Sequence, residues 1–127
     1  MKKITILLAM LFFAGSIFAQ TEKKVWPEMK EFHTIMAATF HPAEENDLKP
    51  LRAQVAELYR ASKVWFASEV PSDYKKKETT ELLQQLMVQC NDIWSAVNDK
   101  ADDAKLKNLI TMAHDIFHKV AGTCKKD

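Results

Sequence analysis

The chain has 127 residues, of which 47% are apolar and 28% charged, and its formal net charge at pH 7 is +1. This length fits one domain, and so balanced a charge excludes the strongly basic surface that nucleic-acid binding needs. Two glycines and four prolines are too few for a sheet-rich fold with many tight turns or for a glycine-rich phosphate loop, whereas abundant Ala, Leu, Lys, Glu, Gln and Met favour helix.

The N-terminal segment has the layout of a secretory signal peptide. A pair of lysines precedes an apolar run from Ile4 to Phe13, and Ala19 supplies a small residue at the expected cleavage point. The apolar run is about ten residues long and too short to span a bilayer, so we expect no stable membrane insertion after cleavage. The sequence therefore predicts a signal peptide over residues 1–19, a mature domain over residues 20–127, and a periplasmic or secreted location.

The first two predicted helices are bounded by prolines. Helix 1 is predicted from about Trp26 to Phe40, because Pro27 suits a first turn and Pro42 pushes the residue before it out of the α region. Helix 2 is predicted to start near Pro50 and to stop at the Val-Pro pair ending in Pro71. Their apolar faces consist of Val25, Met29, Phe32, Met36 and Phe40, then of Leu51, Val55, Leu58, Tyr59, Ser62, Trp65 and Phe66.

Helices 3 and 4 continue the same helical spacing. Ser72 or Asp73 is expected to cap helix 3, and a turn is expected from Asn98 to Asp103. Gly122 is placed just beyond helix 4, where a left-handed residue often follows a helix. The apolar stripes are Thr79, Leu83, Leu86, Cys90, Ile93 and Val97 in helix 3, and Leu106, Ile110, Ala113, Phe117 and Val120 in helix 4. Four amphipathic helices with short connectors predict an all-α, antiparallel up-down-up-down four-helix bundle.

Two cysteines in an exported chain suggest a disulfide bond. Measured from the turn between helices 3 and 4, however, Cys90 and Cys124 differ in level by about 18 Å, whereas a disulfide needs Cα atoms within about 7 Å. We therefore expect no intrachain bond and place Cys90 in the core. Cys124 lies on a tail that we expect to fray, which leaves it open as a free thiol, a metal ligand or an intermolecular disulfide that would form a homodimer.

Histidines are the candidate ligands for a metal ion. His114 and His118 lie one turn apart on helix 4, at the i, i+4 spacing with which a helix can chelate a metal. His33 falls inside the apolar face of helix 1. Counting residues from the bundle end places these three imidazoles, with Met29 and Cys90, at similar levels of the interior. Three imidazoles with soft sulfur ligands predict a zinc or copper site.

His41 falls apart from this group, at the end of the bundle that holds the first and third connectors. Acidic residues are expected around it: Glu44, Glu45, Asp47, Asp99, Asp102 and Asp103. One interpretation is a second metal site, with His41 and carboxylates around a harder divalent cation. The other interpretation is a solvated acidic rim with a capping histidine.

The helix pattern and two side chains resemble the superfamily of cytochrome c-prime and the soluble b-type four-helix cytochromes. The last helix of c-prime proteins carries C-x-x-C-H, and the stretch here reads His114-Asp115-Ile116-Phe117-His118, with His118 at the haem-ligand position. Both cysteines of that motif are absent, which excludes covalent attachment. In the b-type relatives a Met early in helix 1 and a His late in helix 4 hold the haem, and Met29 and His118 match those positions. The resemblance implies non-covalent haem b and a role in electron transfer or haem carriage.

Three functions therefore stay open. Metal binding leads, because His33 and His114 are surplus to a Met/His haem site. Haem is the alternative, and the third is a cofactor-free bundle that binds a partner through surface aromatics, for which Trp26, Trp65 and Tyr74 are candidates. We do not expect an enzyme, because the sequence offers no Ser/His/Asp constellation, no carboxylate pair in an apolar face and none of the Glu-x-x-His motifs of ferritin-type sites.

Overall fold

The computed structural model describes residues 25–126, so the predicted signal peptide at residues 1–19 lies outside the described residues. The helices are α1 (Pro27–Glu44), α2 (Lys49–Ala67), α3 (Lys76–Asn98) and α4 (Asp103–Gly122). Each helix packs against the next in the chain, and α1 also contacts α4. This arrangement confirms the predicted all-α four-helix bundle. No helix between residues 25 and 126 combines the length and the apolar character that crossing a bilayer requires.

Helix α1 continues beyond its predicted end at Phe40 and contains Pro42. The last turn is held in place because Ala43 is fully buried and because the backbone N–H groups of Glu45 and Asp47 both donate to the carbonyl of Pro42. Packing and these C-terminal hydrogen bonds thus outweigh the proline's preference for an extended predecessor.

The later helix ends also differ from the prediction. Helix α3 begins only at Lys76, and no side chain caps its N-terminus, so neither Ser72 nor Asp73 fills the expected role. Helix α4 is capped by Asp102, whose carboxylate accepts a hydrogen bond from the N–H of Lys105 at 2.8 Å. Gly122 is the last residue of α4 rather than the residue beyond it.

Three aromatic residues close the end of the bundle opposite the α1–α2 and α3–α4 connectors. Trp26, Trp65 and Tyr74 are only 3%, 0% and 6% exposed, so the prediction that they lie on the surface is wrong. The Trp26 ring meets the other two edge-on, at centroid distances of 5.6 Å and 5.2 Å. Its Nε1–H donates to Ser68 Oγ at 3.0 Å, which satisfies the polar edge of a buried indole.

The residues after α4 form a C-terminal clamp (residues 123–126) against the segment before α3. The N–H of Lys75 donates to the Cys124 carbonyl and the N–H of Lys126 donates to the Asp73 carbonyl, both at 2.7 Å. Cys124 is 2% exposed, so the prediction of a frayed tail is wrong, and an intermolecular disulfide would require the clamp to open. Both cysteines are free. Cys124 pairs with the start of α3, which places Cys90 about 22 Å further along that helix.

Candidate metal centre

The imidazoles lie along the groove between α1 and α4, which is the least extensive of the contacts between adjacent helices. Stacked rings span this groove. The His33 ring of α1 stacks on Phe117 of α4 with centroids 5.1 Å apart, and the His114 ring of α4 stacks on Phe40 of α1 with centroids 3.7 Å apart. Packing between the two helices therefore sets the position of each of these imidazoles.

The closest pair of imidazoles is that of His114 and His118. Their Nε2 atoms are 3.1 Å apart, and their rings are nearly perpendicular, at 84°. When no ion is bound, one Nε2–H donates to the lone pair of the other. Two nitrogens that bind one zinc ion at about 2.0–2.1 Å with a near-tetrahedral angle are themselves about 3.1–3.4 Å apart. The pair is therefore already at chelating distance.

The surroundings of His114 favour its neutral form. Partial burial lowers the pKa of His114 because it penalises the charged ring, and repulsion from His118 lowers it further. Asp115 and Glu44 act in the opposite direction through their negative charge. Because metals bind the neutral imidazole, burial keeps this ring available for ligation. The same two carboxylates would stabilise a divalent cation held beside it.

His33 is exposed, contrary to the prediction that it lies inside the apolar face of helix 1. The buried stripe of α1 passes through Phe32 and Met36, and His33 is rotated by about 100° from Phe32 around the helix. His118 is exposed as well, and only His114 is partly buried. The prediction that these imidazoles meet in the interior is therefore wrong: they lie along the rim of the α1–α4 groove, where only His114 and His118 are in contact.

Cys90 does not join the histidines. Its side chain is fully buried in α3, close to the side chain of Ser62 on α2. Burial raises the pKa of Cys90 to about 12, so the thiol keeps its proton, and a protonated thiol is a poor metal ligand. Among residues 25–126, no three His, Cys, Asp or Glu side chains are grouped so that they could hold one ion. The predicted ligand set of histidines with Cys90 is thus not assembled in this structure.

His41 lies at the connector end of the same groove. Its Nδ1 is 3.3 Å from Glu44 Oε2, and its charge contributes to lowering the pKa of His114. The sequence placed His41 apart from the other histidines, whereas the structure places it within electrostatic range of His114.

Three of the carboxylates that the sequence predicted around His41 are engaged in other contacts. Asp47 accepts a hydrogen bond from the N–H of Lys49 at 3.1 Å, and Asp102 caps α4. Asp103 forms an ion pair with Arg52 at 2.8 Å. These contacts favour the interpretation of this end as a solvated acidic rim over a second cation site.

A cleft at the opposite end of the groove was not foreseen from the sequence. Met29, His33 and His118 line it, and we refer to it as the Met29 cleft; its volume is about 450 Å³. Buried Trp26 and Phe117 also contribute to its lining. The two residues predicted as haem ligands, Met29 and His118, thus share an open cleft rather than an interior pocket.

Comparisons of the chain with protein-family models, with curated proteins and with solved structures find no match. The relationship to the haem cytochromes therefore rests on the matched ligand positions, Met29 and His118, and stays a prediction.

Proposed function

We propose that this chain is an exported four-helix bundle that binds a transition metal ion, Zn(II) or Cu(II), through His114 and His118. The observation that carries the proposal is the 3.1 Å separation of their Nε2 atoms. Both ligands belong to α4, so binding requires only that the two side chains rotate until their Nε2 lone pairs point at one ion, with each ring protonated at Nδ1. No helix has to move.

The ligand chemistry favours a borderline or soft divalent ion. Imidazole suits zinc and copper, and Cu(II) generally binds a given nitrogen site more tightly than Zn(II) does. Structural zinc sites are closed by four protein ligands. Two ligands leave the remaining positions to water, which suits reversible binding, as in a carrier or a buffer of metal ions, better than a structural role.

Metal titration of the purified protein tests this assignment. Replacing His114 or His118 with Ala should lower the affinity for Zn(II) by at least about tenfold, because one of the two protein ligands is lost. His33→Ala and His41→Ala are matched controls, since they remove imidazoles of the same groove that lie outside the pair. If replacing both His114 and His118 leaves the affinity unchanged, the assignment is wrong.

Haem b is the second candidate. The observation that favours it is that Met29 and His118 line one cleft, together with Lys30 and Lys125, whose charges could pair with haem propionates. The packing favours a bare ion, because the ring of Phe117 already occupies the space between α1 and α4 at this level. Addition of hemin distinguishes the two functions: a Soret band that is lost in His118→Ala would support haem.

A further inference from the structure

One thioether and two imidazoles line the Met29 cleft. His33 and His118 flank the same aromatic ring, with centroids 5.1 Å and 5.6 Å from that of Phe117. Met29 lies four residues before His33 on α1, so the two side chains project from the same side of that helix. The proposed Zn(II) or Cu(II) centre uses neither of them.

The sulfur of Met29 is held in position by a second residue. The hydroxyl of Tyr74 donates a hydrogen bond to Met29 Sδ at 3.8 Å. Tyr74 is 6% exposed and packs against Trp26, so this hydroxyl is anchored. A thioether sulfur has two lone pairs, and the bond to Tyr74 leaves one of them available to an ion in the cleft.

The two ends of the groove differ in charge. Lys30 and Lys125 line the Met29 cleft, and its lining, as far as the structure describes it, contains no Asp or Glu. His114, by contrast, interacts electrostatically with the negative charges of Glu44 and Asp115. Coulomb repulsion from the lysines is proportional to the charge of the ion. A singly charged ion held by neutral ligands therefore fits the cleft better than a divalent ion does.

We propose that the Met29 cleft is a second metal site, which binds Cu(I) through Met29, His33 and His118. Thioether ligands select Cu(I), whereas imidazole alone does not distinguish it from zinc. The inference builds on the proposed function in one respect: His118 belongs to both sites, so Cu(I) in the cleft and Zn(II) at the His114–His118 pair compete for one ring.

Paired titrations test the site. Cu(I) affinity is measured under anaerobic conditions with ascorbate, by competition with bicinchoninate, and Zn(II) affinity is measured on the same proteins. Met29→Leu should lower the Cu(I) affinity by at least about tenfold and leave the Zn(II) affinity unchanged, whereas His114→Ala should do the reverse. Met112→Leu is the matched control, since Met112 is an exposed methionine outside the cleft. Leu and Met have similar volumes, and circular dichroism confirms that each variant is folded.

A second readout observes the ligand directly. The NMR signal of the Met29 methyl group, assigned by its absence in Met29→Leu, should shift when Cu(I) is added and stay in place with Zn(II). Equal Cu(I) affinity of wild type and Met29→Leu, with an unshifted methyl signal, would overturn the Cu(I) site whether or not Zn(II) binds. Zn(II) binding that is insensitive to His114→Ala would instead overturn the proposed function and leave the Cu(I) site intact.

Discussion

Replacing His118 with Ala separates metal binding from folding. The side chain of His118 is exposed, and surface substitutions usually change the free energy of unfolding by at most about 0.5 kcal/mol. The metal-free variant should therefore unfold at nearly the same temperature as the wild type. Its response to zinc should differ, because the ion loses one of two nitrogens that the fold holds 3.1 Å apart.

The size of the zinc response follows from linkage. An ion that binds only the folded chain stabilises it by about 2.7 kcal/mol when its free concentration is 100 times the dissociation constant. In a domain of this size, 1 kcal/mol shifts the midpoint of thermal unfolding by about 4–8 °C. The wild type should therefore gain about 11–22 °C at that zinc concentration. His118→Ala, with an affinity at least about tenfold lower, should gain about half as much or less.

Thermal unfolding followed by circular dichroism at increasing zinc concentrations measures both responses. His33→Ala serves as the matched control and should keep the full zinc response, because its ring stacks on Phe117 and lies outside the chelating pair. The reasoning is refuted if zinc does not stabilise the wild type, or if it stabilises His118→Ala to the same extent.

Three further predictions concern the fold. Burial and His118 lower the pKa of His114, so below about pH 6.5 the unfolded chain binds more protons than the folded one. The free energy of unfolding should therefore fall on acidification, and it should fall less steeply in His114→Gln. Urea titrations at several pH values measure both slopes. Lys100 has a φ of 56°, so Lys100→Gly should raise the free energy of unfolding by about 0.5–1 kcal/mol; a loss in urea denaturation would contradict this. Leu86 is 0% exposed, and Leu86→Ala should cost about 2–5 kcal/mol; a smaller loss in the same assay would mean that the core collapses around the cavity.

The helices were predictable because burial in a bundle repeats with the period of the helix. In α4 the predicted stripe and the observed buried residues are identical: Leu106, Ile110, Ala113, Phe117 and Val120. The helix ends were harder to predict, since they depend on tertiary contacts. Pro42 stays helical because its neighbour Ala43 is buried, and the clamp around Cys124 depends on hydrogen bonds to a segment some fifty residues earlier in the chain.

In the candidate site, too, local features were predictable from the sequence, whereas features that depend on packing between helices were not. The pairing of His114 with His118 is a local property of one helix, and the four-residue spacing predicted it. The place of His33 depends on how α1 is rotated about its axis relative to α4. Spacing from Met29 and Met36 suggested a core position, but His33 lies at the edge of the stripe and stacks on Phe117 across the groove. The Met29 cleft could not be predicted either, because it forms between helices and depends on how they are rotated relative to each other.

The C-terminal clamp directly follows the helix that carries both imidazoles, and it therefore bears on the chelating pair. His118 lies only four residues before the end of α4 at Gly122, in the stretch where helices ordinarily fray. Unwinding of that last turn would move the His118 imidazole away from that of His114, and the two could then no longer bind one ion together. By fastening the chain beyond the helix to the residues before α3, the clamp keeps α4 wound to its end. The backbone positions of both imidazoles are therefore fixed, and binding of an ion has to order only the two side chains.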